Sequence, residues 1–331
     1  MKAVTYSKFG SASEVFKIEN LNDPIAGVGE VVVKLHYSAV NPSDVKARAG
    51  GRPGVTKPPF PKIIPNSDGS GLIVDVGHGV DKSRIGQRVW VWNAQWKRPF
   101  GTSAEYIALP QEQAVLLPEN VELRQGAILG IPTLTAVHAV IGQGDVEGKN
   151  IFISGGAGTV GRLAIQTAKA LGANVIATAC GESGIRSAKT AGADLVLNYR
   201  SDNIVEEALE FTNGKLIDKF IEVEFGKNIE TISKLITENG SIASFGSSQD
   251  MTPTIPFYPL MFKAVNIELI LVYLLQSAKR QKGIEVLTQL LKANALDFQI
   301  DSEFDLQNAV EAHGLIESGK RNGSVLLNIC K

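Results

Sequence analysis

Three glycines, Gly156, Gly158 and Gly161, form the pattern with the clearest chemical meaning in this sequence. They lie between an apolar run at residues 151–154 and a segment, residues 160–171, whose apolar side chains recur at helical spacing. A glycine turn between a strand and a helix lets backbone amides approach a diphosphate, and the helix N-terminus favours the anion. We expect Gly156 to allow the tight turn, Gly158 the close approach and Gly161 close packing of the helix on the strand. A purely structural turn is the alternative.

The surrounding elements alternate between strand and helix. Apolar strands are predicted at residues 151–154, 174–179, 195–199, 217–223 and 241–245, with helices at 160–171, 185–191 and 228–237. Such alternation predicts an α/β fold in which helices cover both faces of a doubly wound parallel sheet.

The chain on either side of this region has a different pattern. Short β patterns separated by Gly and Pro run up to about residue 122 and predict a compact, barrel-like β domain. Two amphipathic helices at residues 283–293 and 306–318 and a strand at 324–329 lack the alternation, so we assign this tail to the first domain. The expected domains are therefore residues 1–123 with 276–331, and residues 124–275.

The end of the second predicted parallel strand bears on the choice of nucleotide. Enzymes that use NAD usually place Asp or Glu there to hold the ribose hydroxyls. This strand instead ends at Ala179-Cys180-Gly181, and Arg186, Lys189, Tyr199 and Arg200 follow. Cationic and hydroxyl groups suit a 2′-phosphate, which favours NADPH over NADH. The alternative is that Arg186 and Lys189 only solvate a helix face.

Composition excludes several classes of protein. A chain of 331 residues exceeds one hydrophobic core, and a net charge of -1 does not favour nucleic-acid binding. The longest apolar run, residues 269–275, is shorter than the roughly 18 residues of a membrane span and predicts a buried strand. The first residues lack a secretory signal, so we expect a cytoplasmic protein. Cys180 and Cys330 are interpreted as separate buried thiols.

Several further motifs follow one another along nearly the whole chain. They are Ala39-Val40-Asn41-Pro42-Ser43-Asp44 with Arg48 and Gly50, Gly130-Ile131-Pro132-Thr133-Leu134-Thr135-Ala136, the glycine turn, and Gly192-Ala193-Asp194 before Asn198-Tyr199-Arg200. This order resembles the medium-chain dehydrogenase/reductase superfamily, and within it the zinc-independent quinone oxidoreductase (zeta-crystallin-like) branch. The resemblance implies a GroES-like β-barrel domain completed by the C-terminal tail, a Rossmann domain and an active site in the cleft between them. It also implies a homodimer or homotetramer, joined near residues 267–272.

The zinc ligands of zinc-dependent relatives are missing here. Those relatives have a Cys near the position of Asn41, a His-Glu pair where this chain has Ser67-Asp68, and four clustered cysteines in a structural lobe. We therefore expect no metal. Without a Lewis acid, the implied chemistry is reduction by NADPH of an acceptor already made electrophilic by conjugation.

The resemblance also implies roles for individual residues. Asn41 is expected near the nicotinamide and the acceptor, and Thr135 near the nicotinamide. The other cofactor contacts expected are Gly156, Ala157, Gly158, Thr159, Val160, Gly161, Gly181, Arg186, Tyr199, Phe245, Gly246, Ser247, Leu271, Val272 and Tyr273. Lys46 replaces a Tyr that close relatives have near the nicotinamide, and Gly184 replaces a Lys that some offer to the 2′-phosphate. Alternatively, Asn41 only caps the turn before Pro42.

Three functions remain open on this basis. The first is an NADPH:quinone reductase that transfers hydride or single electrons. The second is an NADPH-dependent reductase of α,β-unsaturated aldehydes or ketones. The third is a catalytically weak NADPH-binding protein that acts as a sensor, a structural protein or an RNA-binding protein.

Overall fold

Two units divide the chain. The computed structural model describes residues 1–51 and 54–330, so Lys331, the last residue of the expected first domain, lies outside the described residues. The first unit is Met1–Ile131 with Phe298–Lys331, and the second is Pro132–Asp297. Both expected boundaries, 123/124 and 275/276, fall earlier than these. The C-terminal difference arises because the helix at Ser277–Lys292 packs against the helix at Leu134–Ile141, inside the second unit.

The first unit begins as a β structure. Its long strand β3 carries apolar side chains at alternate positions, and Val31, Val33 and Leu35 are buried in the core. Such alternation is typical of a strand with one face on the core. The elements up to Ile131 are β1 (Lys2–Thr5), α1 (Ala12–Val15), β2 (Lys17–Asn20), β3 (Glu30–Val40), α2 (Pro42–Ala49), β4 (Asp68–Val76), β5 (Arg88–Val91), β6 (Tyr106–Pro110), β7 (Ala114–Leu116) and α3 (Leu123–Gly126), with 3₁₀ turns at Lys82–Arg84 and Gln111–Gln113.

The second unit begins within a π-helical turn at Leu129–Thr133. Its elements are α4 (Leu134–Ile141), β8 (Asn150–Ile153), α5 (Thr159–Ala170), β9 (Asn174–Ala179), α6 (Gly181–Thr190), β10 (Leu195–Asn198), α7 (Ile204–Phe211), β11 (Ile217–Glu222), α8 (Phe225–Leu235), β12 (Ile236–Ser244), α9 (Phe257–Met261), β13 (Asn266–Leu269), a 3₁₀ turn at Val272–Leu274 and α10 (Ser277–Lys292). The six strands are parallel in the order β10-β9-β8-β11-β12-β13. This is the Rossmann order, in which strand order reverses beside the first strand. The sheet therefore confirms the predicted doubly wound fold.

The chain then returns to the first unit through β14 (Ile300–Asp305), a 3₁₀ turn at Leu306–Asn308, α11 (Ala309–Ser318) and β15 (Ser324–Asn328). There the sheet order is β14-β15-β3-β4-β5-β7, and β6 pairs with residues 30–34 of β3, whereas β15 pairs with residues 37–40. The C-terminal strand β15 thus joins the sheet of the N-terminal unit by pairing with β3. Among the described residues, no helix combines the length and apolarity that a membrane crossing requires.

Two sequence-based predictions about burial are wrong. Residues 269–275 are not a buried strand, because β13 ends at Leu269 and Val272–Leu274 is a 3₁₀ turn. Leu269 is 75% exposed because β13 is the edge strand of the sheet, with no further strand beside it in the part of the chain that the structure describes. The cysteines are free thiols, but Cys180 is half-buried and Cys330 is exposed.

Candidate functional site

The glycine turn joins β8 to α5 at the carboxyl end of the parallel sheet. The left-handed backbone falls on Gly155, with φ of 67°, rather than on Gly156. Gly156 is needed for space instead, because a Cβ there would lie 2.9 Å from Ala177 Cβ. A Cβ on Gly161 would lie 2.2 Å from Gly155 O, so Gly161 permits α5 to pack closely on the turn. The tight-turn role expected for Gly156 therefore belongs to Gly155.

Gly158 stands apart from the other glycines of the turn. It is exposed, and a Cβ on it would touch only Gly155 O, at 3.4 Å. It is also the N-cap of α5, so the N-cap position carries no side chain. The helix continues for 12 residues with its amide dipoles aligned. The N-terminal amides of such a helix, reached over a residue without a side chain, form a site that fits a diphosphate.

The ends of β9 and β10 meet beside this turn. Cys180 Sγ lies 2.9 Å from the Tyr199 hydroxyl, and this hydrogen bond is the main cause that raises the Tyr199 pKa. Gly181 opens α6 with φ of 69°, and Arg186 is exposed on that helix. The nearest following carboxylate, Glu182, lies in the first turn of α6 and is exposed. The Tyr199 hydroxyl therefore follows β10, and the Arg186 cation and Glu182 carboxylate both lie on the helix that follows β9.

A cavity of about 560 Å³ lies at the carboxyl ends of β12 and β13. Four residues expected at the nicotinamide line it together: Phe245, Gly246, Ser247 and Leu271. Gly246 must be glycine here, because a Cβ would lie 2.5 Å from Val223 O. The two other residues expected there, Val272 and Tyr273, are instead buried in the 3₁₀ turn.

The sequence analysis missed a buried carboxyl group between the turn and this cavity. Glu222 ends β11, is 1% exposed and accepts hydrogen bonds from Ser154 Oγ at 2.6 Å, Glu224 N at 2.6 Å and Asn228 Nδ2 at 3.0 Å. Burial raises its pKa. Ser154 Oγ in turn accepts from Val223 N at 3.0 Å, so Glu222 ties the glycine turn to the end of β11. The carboxylate that ends β11, at the carboxyl end of the parallel sheet, was the available signal.

Asn41 lies in the first unit, at the N-cap of α2. Its Nδ2 donates to Asp68 Oδ2 at 2.9 Å, and its backbone N–H donates to Asp44 Oδ2 at 2.9 Å. All three residues are buried. Burial, followed by the charge of Asp44, raises the pKa of Asp68 well above its usual value. The side-chain carboxamide of Asn41 therefore binds Asp68 and does not serve the turn before Pro42 alone.

The two other residues expected in catalysis differ in exposure. Lys46 is exposed on α2, whereas Asp44, Val45 and Arg48 of that helix are buried. Thr135 belongs to the second unit, where it is 6% exposed in the first turn of α4. In the described residues, no group of three or more His, Cys, Asp or Glu side chains is arranged to hold a metal ion.

Comparison with known proteins places these units in a family. Residues 27–119 match the family model described as "Alcohol dehydrogenase GroES-like domain", and residues 159–289 match "Zinc-binding dehydrogenase". The chain is 30% identical to the quinone oxidoreductase of Homo sapiens, over 99% of this chain and 97% of that protein. It is 29% identical to the 2-methylene-furan-3-one reductase of Solanum lycopersicum, over 99% of this chain and 79% of that protein.

Solved structures agree on the fold. An NAD-dependent alcohol dehydrogenase superposes with a TM-score of 0.88 at 27% identity, covering 99% of this chain and 100% of the other. The Escherichia coli quinone oxidoreductase complexed with NADPH superposes with a TM-score of 0.84 at 24% identity, with the same coverage. The paired GroES-like and Rossmann units thus define an oxidoreductase of the medium-chain dehydrogenase/reductase type. With its match to the human enzyme along nearly its whole length, the chain belongs to the quinone oxidoreductase family of that superfamily.

Proposed function

We propose that this protein is an NADPH-dependent quinone oxidoreductase that reduces a small quinone, by hydride or single-electron transfer, without zinc. The observation that carries the proposal is the glycine turn, whose exposed Gly158 is the N-cap of α5. Backbone amides are the groups that Rossmann enzymes offer to a dinucleotide diphosphate.

The residues of the second unit fit NADPH along its length. Gly156, Ala157, Gly158, Thr159, Val160 and Gly161 would hold the diphosphate. Gly181, Arg186 and Tyr199 would hold the adenosine end, where β9 ends at Ala179 without a carboxylate and the Arg186 cation and Tyr199 hydroxyl suit a 2′-phosphate. Phe245, Gly246, Ser247 and Leu271 would face the nicotinamide, since they line one cavity. Val272 and Tyr273, which are buried, would pack behind the residues that line this cavity.

When bound, NADPH supplies the reducing equivalents, so the chain's own residues have to bind, orient and exclude water. We assign Asn41 and Thr135 to the nicotinamide, and Asn41 and Lys46 to the acceptor. A conjugated acceptor needs no metal to become electrophilic, which agrees with Asn41 and Ser67 in place of the Cys and His ligands of zinc-dependent relatives.

A second candidate is reduction of an α,β-unsaturated carbonyl compound. It is favoured by the similarity to the Solanum lycopersicum 2-methylene-furan-3-one reductase along 99% of this chain. Enones and quinones are both conjugated acceptors, so the same cofactor site would serve either one.

One assay panel separates these functions. NADPH oxidation is followed with quinones, with alkenals or enones, and with no acceptor. Oxidation that depends on quinones supports the leading proposal, and oxidation that depends only on alkenals or enones supports the second. Tight NADPH binding without turnover would instead indicate a sensor, structural or RNA-binding role. NADH in place of NADPH tests the coenzyme: we expect weaker binding, because Arg186 and Tyr199 would have no 2′-phosphate to contact.

We also propose a homodimer or homotetramer that works in the cytoplasm. The support is the edge strand β13, on which Ile267 is 38% and Leu269 75% exposed. Unpaired edges with apolar side chains are suited to pairing with another chain. Sedimentation velocity should give a multiple of the 35.4 kDa chain mass, and a monomer at micromolar concentration would refute this part.

A further inference from the structure

Asp68 occupies an unusual place for a carboxyl group. It opens β4 and is fully buried, which is costly unless the group is hydrogen bonded. Its Oδ2 accepts from Asn41 Nδ2 at 2.9 Å and from the Ile131 backbone N–H at 2.7 Å. Among the described residues, its Oδ1 has no hydrogen-bond partner, and it lies against Gly130, where a Cβ would fall 2.0 Å away. Within residues 1–51 and 54–330, this carboxyl group therefore bonds through Oδ2 alone, and Asn41 is the one side chain that donates to it.

The register of the sheet brings the two residues together. Ala39 near the end of β3 pairs with Asp68 at the start of β4, and Asn41 follows directly after β3. The backbone of Asn41 is held separately, because its N–H donates to Asp44 Oδ2 at 2.9 Å. One carboxyl group thus holds the main chain of Asn41 and another holds its side chain.

We propose that Asp68 is a positioning residue for the proposed reaction: its Oδ2 holds Nδ2 of Asn41 and so fixes the direction in which the Asn41 carboxamide faces. Gly130 leaves the room that Asp68 needs. The inference rests on the proposed function, in which Asn41 contacts the nicotinamide and the acceptor. Because a carboxamide has one donor end and one acceptor end, fixing Nδ2 turns Oδ1 away from Asp68 and toward other partners.

The kinetic test is a double-mutant cycle with NADPH and a quinone. Asn41→Ala and Asp68→Ala should each lower kcat by about tenfold to a hundredfold, since small displacements of positioned groups cost that much. The KM for NADPH should stay within about threefold, because the diphosphate site is untouched. The double variant should be no slower than Asn41→Ala alone, because the two side chains act as one unit.

Two matched variants control for simple destabilisation. Asp68→Asn retains an acceptor oxygen for Asn41 and Ile131, so its kcat should remain within about threefold of wild type. Asp75→Ala removes an exposed carboxylate from the same strand and should leave kcat unchanged. Losses that add in the double variant, or full activity of Asp68→Ala beside an impaired Asn41→Ala, would overturn the inference.

A second readout does not depend on turnover. With selective ¹⁵N labelling of asparagine, the Nδ2 protons of Asn41 should exchange slowly in wild type and Asp68→Asn, and quickly in Asp68→Ala. Equal exchange in wild type and Asp68→Ala would overturn the positioning role. If the wild type oxidises NADPH with none of the quinones or enones supplied, the proposed function fails, and the exchange rates alone then decide whether Asp68 holds Asn41.

Discussion

Two substitutions in the glycine turn should separate binding from stability. A methyl group on Gly161 would start 2.2 Å from Gly155 O, so the backbone has to open by about 1 Å, a strain that overpacking places at about 1–3 kcal/mol. A methyl group on Gly158 would meet only Gly155 O, at 3.4 Å, so Gly158→Ala should change stability by less than about 1 kcal/mol.

The effects on NADPH binding should be the reverse of the effects on stability, with the larger loss in Gly158→Ala. The methyl group of Gly158→Ala would stand over the start of α5, where it keeps a diphosphate from the amides. Loss of one or two charge-assisted hydrogen bonds corresponds to about 1.4–3 kcal/mol, or a tenfold to hundredfold weaker NADPH affinity. We therefore expect Gly158→Ala to keep its melting temperature and lose NADPH affinity, and Gly161→Ala to melt several degrees lower.

Thermal unfolding and calorimetric titration of both variants beside the wild type measure these quantities. Gly181→Ala serves as a comparison for the melting temperatures. No atom lies within 4 Å of its new methyl group, so any loss of stability there comes from backbone strain at a φ of 69°. Wild-type NADPH affinity in a folded Gly158→Ala variant would refute the assignment of the diphosphate to this turn. An unchanged melting temperature of Gly161→Ala would refute the packing argument.

Three further predictions concern buried titratable groups. Glu222→Ala leaves the donors of Ser154, Glu224 and Asn228 without their acceptor, and it should lower the free energy of unfolding in denaturant by about 2–4 kcal/mol. Glu222→Gln keeps an acceptor oxygen and should cost less than half of that. Burial, followed by the charge of Arg48, lowers the pKa of His313 from 6.5 to about 3. Between these two pH values the unfolded chain binds more protons than the folded chain, so the free energy of unfolding should fall by up to about 1.4 kcal/mol per pH unit as pH drops below 6.5. His313→Gln should flatten that slope. Burial lowers the pKa of Lys219 from 10.5 to about 8, so the free energy of unfolding should rise with pH between these values, and Lys219→Met should remove the rise.

The Rossmann sheet could be predicted from the sequence because its signals are local. Apolar strands such as Phe152 and its neighbours are followed by helices at regular spacing, and the glycine turn lies within one strand-turn-helix unit. The sequence did not indicate which glycine of the turn adopts the left-handed conformation. Gly155 and Gly156 are adjacent glycines, and only the three-dimensional contact with Ala177 shows that Gly156 is required for space.

Contacts between residues far apart in the chain could not be predicted from such local patterns. Asn41 and Asp68 are 27 positions apart, and they meet only because β3 and β4 pair in one register. The exposure of Leu269 depends on β13 being the last strand of its sheet, which no local pattern reveals. The boundary at Asp297 depends likewise on α10 packing against α4 rather than on the rhythm of the sequence.

The central claim is that the amides at the start of α5 hold the diphosphate of a nicotinamide dinucleotide. Calorimetric titration of the wild-type protein with NADPH tests it most directly. The account predicts saturable heat with one site per chain, and a weaker isotherm with NADH. An absence of heat with both dinucleotides, in a protein that remains folded, would contradict it.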